Sequence, residues 1–194
     1  MAFFKLKSEP TKIADFVSTW SKCYEEGKYS DKDYEKNLNR QGLMAAGNIQ
    51  LLFEWKNNMP LAPKKQKIAD AVKANLKTLN NFRKVPNVTE AEFEGFWSFA
   101  CSIIASGLVY RIFLAHISRP DDFPMVDQHV LRAWNFLEKN KVEEPEQTTD
   151  NYLKYREFVK ALSAQSGKTL REIDKALMTF GQFLVSDFYC SVKS

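Results

Sequence analysis

The segment Phe123-Pro124-Met125-Val126-Asp127-Gln128-His129-Val130-Leu131-Arg132-Ala133-Trp134 places a carboxylate where chemistry is most readily organised. Pro124 breaks whatever precedes it, Asp127 is the first residue able to cap a helix, and Val130, Leu131 and Trp134 recur at helical spacing. A carboxylate at such a point has two uses. As an N-cap it accepts hydrogen bonds from free backbone N–H groups of the first turn, worth about 1 kcal/mol, and does nothing further. Facing a cleft, it acts as a base or stabilises positive charge that develops during a reaction.

Helices must position it. Ile13, Phe16, Val17, Trp20 and Tyr24 form a first apolar stripe with Gly27 as its stop, and Ser30 or Asp31 caps a second helix through Leu38. Ala45, Ile49, Leu52 and Phe53 mark a third helix, closed by Asn57-Asn58-Met59-Pro60. Ile68, Val72, Leu76 and Leu79 mark a fourth, running unbroken to Arg83. Thr89 and Glu92 have the spacing of a capping box and open a fifth, which carries Phe93, Phe96, Ala100 and Ile104 to Ser106-Gly107. A sixth, Leu108 to Ile117, is apolar nearly all round and belongs at the centre of the fold. Asp127 opens the seventh. Thr149 caps an eighth that ends at Gly167, and Thr169 with Glu172 opens a ninth whose stripe is Ile173, Leu177, Phe180, Leu184 and Phe188. No alternating strand pattern interrupts this, so the class is all-α with about nine helices.

The 194-residue chain is long enough for one substantial core or two small lobes. Its hydrophobic fraction of 44% and charged fraction of 27% are those of a globular protein, and no run approaches a membrane span. Met1 to Pro10 lacks a signal-peptide layout, because Lys5, Lys7 and Glu9 interrupt it, and a cytoplasmic location is expected. Cys23, Cys101 and Cys190 are too scattered for a zinc knuckle or iron–sulfur cluster and read as buried small hydrophobes. His116 and His129 do not cluster with them, so neither a metal nor a cofactor is expected. The formal charge of +4 is unevenly spread: Lys64, Lys65, Lys67, Lys73, Lys77, Arg83 and Lys84 share a stretch whose single acid is Asp70. Such a stretch either solvates the outside of a helix or presents a face to phosphates.

The pattern Phe-Pro-x-x-Asp-x-x-Val-x-Arg, carried by Phe123, Pro124, Asp127, Val130 and Arg132, resembles the signature of the helix-hairpin-helix DNA glycosylases, especially their adenine-mismatch branch. Asp127-Gln128-His129-Val130 is similar to the endonuclease III branch. The interval from Gly107, across the apolar helix, to Asp127 also resembles the family's interval from hairpin glycine to catalytic aspartate. The resemblance implies DNA as partner and Asp127 as the catalytic carboxylate. Gly107, Arg111, Lys64, Lys65 and Lys67 would contact phosphates, and Pro124, Gln128, His129 and Arg132 would support the site. Three departures shape the expectation. Ala105 stands where the family has a second hairpin glycine. Leu108 and Val109 stand where bifunctional members carry the lysine of Schiff-base chemistry, so lyase activity is not implied. The four-cysteine cluster of several members is missing.

The expected architecture is two-lobed, with residues 1–60 and 135–194 forming one helical lobe and 61–134 a central one, Asp127 lying at the cleft, unless the whole packs as a single domain. The expected activity is hydrolytic, monofunctional base excision. A different class competes with it, a non-catalytic all-α module for DNA or protein interaction in which Asp127 is a cap and no more.

Overall fold

A computed structural model describes residues 12–25, 30–40, 42–105 and 107–186, and all of its regular structure is helical. Ten helices are present among the described residues: α1 (Ile13–Lys22), α2 (Asp31–Leu38), α3 (Ala46–Asn57), α4 (Pro63–Ala74), α5 (Leu76–Arg83), α6 (Glu90–Ile103), α7 (Leu108–Ser118), α8 (Gln128–Lys139), α9 (Thr149–Ser166) and α10 (Leu170–Phe183). Gly27, Ser106, Phe188 and Cys190, which entered the sequence reading, lie outside the described residues.

Local chemistry sets most helix ends. The Thr89–Glu92 and Thr169–Glu172 pairs form reciprocal capping boxes at α6 and α10, as their spacing requires. Gly167 closes α9 at φ 68°, where a side chain would be strained. Two ends differ from expectation. The single helix expected through Ile68 to Arg83 is two, because Asn75 turns its side chain back to the Ala71 carbonyl at 2.8 Å and its backbone leaves helical geometry. This break raises the count from nine to ten. The cap of α9 is Thr148 rather than Thr149, its hydroxyl accepting from the Asn151 N–H at 3.2 Å.

The chain divides into two compact units, residues 25–123 and residues 1–24 with 124–194. These cuts differ from the expected ones at 60 and 134. The reason is aromatic: Tyr34 of α2 stacks on Trp55 of α3, and Phe53 of α3 packs edge-on against Phe113 of α7, so α2 and α3 share a core with the middle helices. In that unit α7 is central, with Ile112 through Ser118 all buried. Phe82, Phe96, Phe93 and Phe123 continue its core, Phe82 and Phe96 stacking at 4.0 Å. The other unit contains α1, α8, α9 and α10. There α10 contacts all three partners, and Phe16 and Trp20 of α1 lie edge-on to Phe180 at 5.2 and 5.1 Å.

The cysteines are not core residues as expected: Cys23 is exposed and Cys101 half-buried. Cys23 lies just past the last residue of α1, and Cys101 follows the buried Ala100 in α6.

Candidate functional site

Asp127 has extended backbone geometry and caps α8 through one oxygen, its Oδ1 accepting from the N–H of His129 at 2.7 Å and of Val130 at 3.0 Å. Among the described residues nothing donates to Oδ2. The carboxylate is half-buried, so one oxygen is committed to the helix and the second is left for other work.

Of the residues expected to support Asp127, only His129 bonds it, through its backbone N–H; Pro124, Arg132 and Gln128 lie around that helix start. Pro124 is buried, and its carbonyl accepts from the Tyr152 hydroxyl of α9 at 3.3 Å, which holds the approach to α8. Arg132 lies one turn along from His129, with its Nη1 3.1 Å from the ring Nδ1. A guanidinium can only donate, so Nδ1 is the acceptor and a neutral His129 carries its proton on Nε2. Gln128 is exposed, with its side-chain amide 3.4 Å from that Nε2.

A further set of groups near α8 belongs to no motif. Tyr155 of α9 is fully buried, one turn beyond Tyr152, and lies edge-on to Trp134 of α8 at 5.9 Å. Neither the Tyr155 hydroxyl nor the Trp134 ring N–H has a hydrogen-bond partner among the described residues. Burial holds the Tyr155 hydroxyl well above its ordinary pKa, and the negative charges of Asp174, Asp127 and then Tyr152 add to the effect. Asp174 of α10 is itself buried and ion-paired with Arg171 one turn before it. In the sequence Tyr152 and Tyr155 recur at helical spacing with Val159 and Leu162. Their periodicity shows burial, while the fate of a hydroxyl depends on what stands opposite.

Gly181 of α10 was also missed. A Cβ there would overlap the His129 carbonyl, so only glycine lets α10 approach the first turn of α8 this closely.

In the other unit, Gly107 opens α7 at φ 102°, a conformation that requires glycine. The first-turn amides of Leu108 and Val109 have no intrahelical acceptor, the usual condition of a helix start. Arg111, expected to reach phosphate, donates from Nε to the Ile104 carbonyl at 2.8 Å and from Nη2 to that of Ala105 at 2.7 Å. Lys65 is half-buried, bonded to the Asn57 side chain, and its Nζ stands 5.9 Å from the centre of the Tyr110 ring. Lys64 and Lys67 are exposed at the start of α4, where no acid occupies the first turn.

An open cleft of about 580 Å³ in the same unit is lined by Arg40, Arg83, Lys84, Arg119, Asp121 and Asp122 among others. Its guanidinium groups are already engaged. Arg83 donates to the carbonyls of Ile117, Leu38, Asn39 and Gly42, while Arg119 bonds Asp122 and the Val85 and Pro86 carbonyls. The cleft is thus walled by a clasp between loops. Burial and the nearby charge of Arg40 lower the Arg83 pKa, and the four carbonyls compensate its charge.

Comparison with protein-family models, curated proteins and solved structures finds no match to this chain. Among the described residues no group of three or more histidine, cysteine or acidic side chains could hold a metal ion. No helix among them is long and apolar enough to cross a membrane.

Proposed function

We propose that the chain is a DNA-binding protein that excises a base by hydrolysing its N-glycosidic bond, with Asp127 as the carboxylate at the reacting sugar. The observation that carries this reading is the state of Asp127: one oxygen caps α8 while the other is uncommitted, at the point where the resemblance to helix-hairpin-helix glycosylases puts the catalytic carboxylate. The left-handed Gly107 at the start of α7 supports it, since close approach of a helix N-terminus to phosphate favours glycine.

In the reaction the C1′–N bond breaks with its electron pair going to the departing base. Positive charge grows on the sugar, and a carboxylate beside it lowers the barrier. A water oxygen then forms the new bond to C1′, giving its proton to Asp127 and from there to solvent, and the departing base takes up a proton from solvent, so that water is divided between sugar and base. With Leu108 and Val109 after Gly107, no lysine is supplied there for Schiff-base chemistry, and the reaction ends at hydrolysis. Phosphate contacts fall to the free amides of Leu108 and Val109 and to the exposed Lys64 and Lys67. Lys65, partly spent on Asn57, has a smaller share.

A second reading has its own observation. Both hydrogen bonds of Asp127 go to the amides of its own helix, which is all that a structural cap requires. On that reading the chain is a non-catalytic module for DNA or protein interaction.

Base release from duplexes carrying uracil, alkylated purines, oxidised guanine or adenine mismatches separates the two, with Asp127→Asn beside the wild type. Asn retains the capping oxygen but not the charge, so the glycosylase reading expects release to disappear while folding and DNA binding persist. Absence of release from every duplex by the wild type would leave the module.

A further inference from the structure

Three connections meet at the cleft of about 580 Å³: Arg40 and Leu43 come from the link between α2 and α3, Lys84 and Pro86 from that between α5 and α6, and Pro120 and Asp121 from the chain after α7. All lie in the unit of residues 25–123, and none belongs to the Asp127 motif. Loops converging on an open cavity are a usual place for a small ligand, whose pockets measure roughly 300–1,000 Å³.

The cations of the cleft are spent unequally. Arg119 is matched by Asp122. Arg83 gives its Nη hydrogens to four carbonyls, which satisfy the donors but bring no negative charge, and it has no carboxylate partner among the described residues. Lys84 beside it is exposed, and its ammonium has no partner among them either. Burial and then the charge of Arg40 lower the Arg83 pKa, so the two guanidinium groups repel each other.

Arg40 is the cation whose partner can be exchanged. Its Nε donates to Glu35 at 3.0 Å, and its Nη1 donates at 2.7 Å to Asp121, a carboxylate 84% exposed and 81 residues away in the chain. An ion pair so exposed contributes little to stability and gives way to a stronger anion. The Asp121 carboxylate therefore marks where an incoming oxyanion sits. A phosphate monoester carries close to two negative charges at neutral pH and three acceptor oxygens, so it outcompetes one carboxylate for Arg40 and keeps oxygens for Lys84. Leu43, a large apolar side chain left exposed, lines the same cleft with Pro86 and Pro120 and offers an apolar wall to the rest of such a molecule.

We propose that this cleft binds a nucleotide-sized phosphate monoester, its phosphate displacing Asp121 from Arg40 and pairing with Lys84, and its organic body lying against Leu43, Pro86 and Pro120. The site is separate from Asp127 and holds whether or not the chain excises bases.

The experiment is a nitrogen-15 NMR titration of the full chain at low salt with adenosine 5′-monophosphate, adenosine and inorganic phosphate in turn, repeated on Lys84→Gln and Asp121→Asn. Both residues are exposed, so neither substitution touches the core. The expected result is saturable binding of the monophosphate, about tenfold tighter than either adenosine or inorganic phosphate, with shifts at Arg40 and Lys84. Lys84→Gln weakens that binding about fivefold, and Asp121→Asn, which removes the competing carboxylate, tightens it about twofold. The proposal is overturned by an absence of saturable binding, by a monophosphate affinity no greater than that of phosphate or of adenosine, or by an affinity that either substitution leaves unchanged. A DNA duplex whose affinity falls with Lys84→Gln while the monophosphate does not bind also overturns it, and assigns the cleft to a nucleic-acid surface.

Discussion

The Tyr34 hydroxyl lies 2.5 Å from Nε2 of His116, and the opposite ring nitrogen of His116 lies 2.7 Å from the Phe123 carbonyl. A carbonyl can only accept, so Nδ1 carries the proton, and in its neutral form this histidine, 5% exposed, accepts from the tyrosine at Nε2. Sequence reading took His116 only as a histidine outside any metal cluster and did not single out Tyr34. Together they join α2 to α7 and hold the residue just before Pro124. Tyr34→Phe removes the donor to a buried nitrogen and is expected to lower stability by about 1–3 kcal/mol in urea unfolding. An unchanged midpoint and slope would mean that the short contact contributes nothing.

Gly181 and Gly95 make a matched pair of opposite sign. A methyl group at Gly181 meets the His129 backbone, whereas one at Gly95 in α6 meets nothing within 4 Å. Gly181→Ala is expected to cost about 1–3 kcal/mol or more and, by pushing the first turn of α8, to disturb Asp127. Gly95→Ala is expected to add about 0.5–1 kcal/mol through the lower entropy of its unfolded chain. Thermal unfolding of both variants should move in opposite directions.

The capping box of α10 ties stability to pH. The Thr169 backbone N–H, 2.9 Å from the Glu172 carboxylate, lowers the Glu172 pKa, with the Thr169 hydroxyl and Lys168 adding to it. A folded pKa below the ordinary 4.5 means that this stabilisation is present above pH 4.5 and disappears as pH falls through the folded value. Thr169→Ala should cost about 1 kcal/mol at neutral pH. Its difference from wild type should shrink below pH 4.5, as read by chemical denaturation at pH 7 and pH 3. A difference that stays constant would place the effect elsewhere than in the Glu172 carboxylate.

Lys64 and Lys67 are exposed and have no ion-pair partner among the described residues, unlike Lys73, which is paired with Asp70 at 3.0 Å. If they contact phosphates, replacing both by glutamine should weaken DNA binding for all sequences alike. It should also reduce the salt dependence of the logarithm of affinity by about 1.8, or roughly 0.9 per phosphate. Lys73→Gln, which breaks an existing pair, is the comparison and should change that slope less. Equal slopes in all three proteins would remove α4 from the interface.

Secondary structure was largely legible because its determinants are local. Thr89–Glu92 and Thr169–Glu172 satisfy helix-start amides across three residues, and apolar residues three and four apart show which face is buried. Asn75 escaped because the residues on both sides of it keep one helical period. A side-chain bond to Ala71 breaks the backbone without breaking the pattern.

The sequence by itself determined an all-helical protein in which Asp127 caps a helix, because a carboxylate after a proline meets unsatisfied amides within three residues wherever the chain folds. Tertiary structure decided the surroundings of the other polar groups. It buried Tyr155 against Trp134, brought Gly181 beneath His129, turned Arg111 onto the carbonyls of Ile104 and Ala105 and set Arg83 among four others. Each of these depends on residues distant in the chain or on the direction of a long side chain. Periodicity records only that a position is inside, and hydrogen bonding depends on the partner that packing places opposite it.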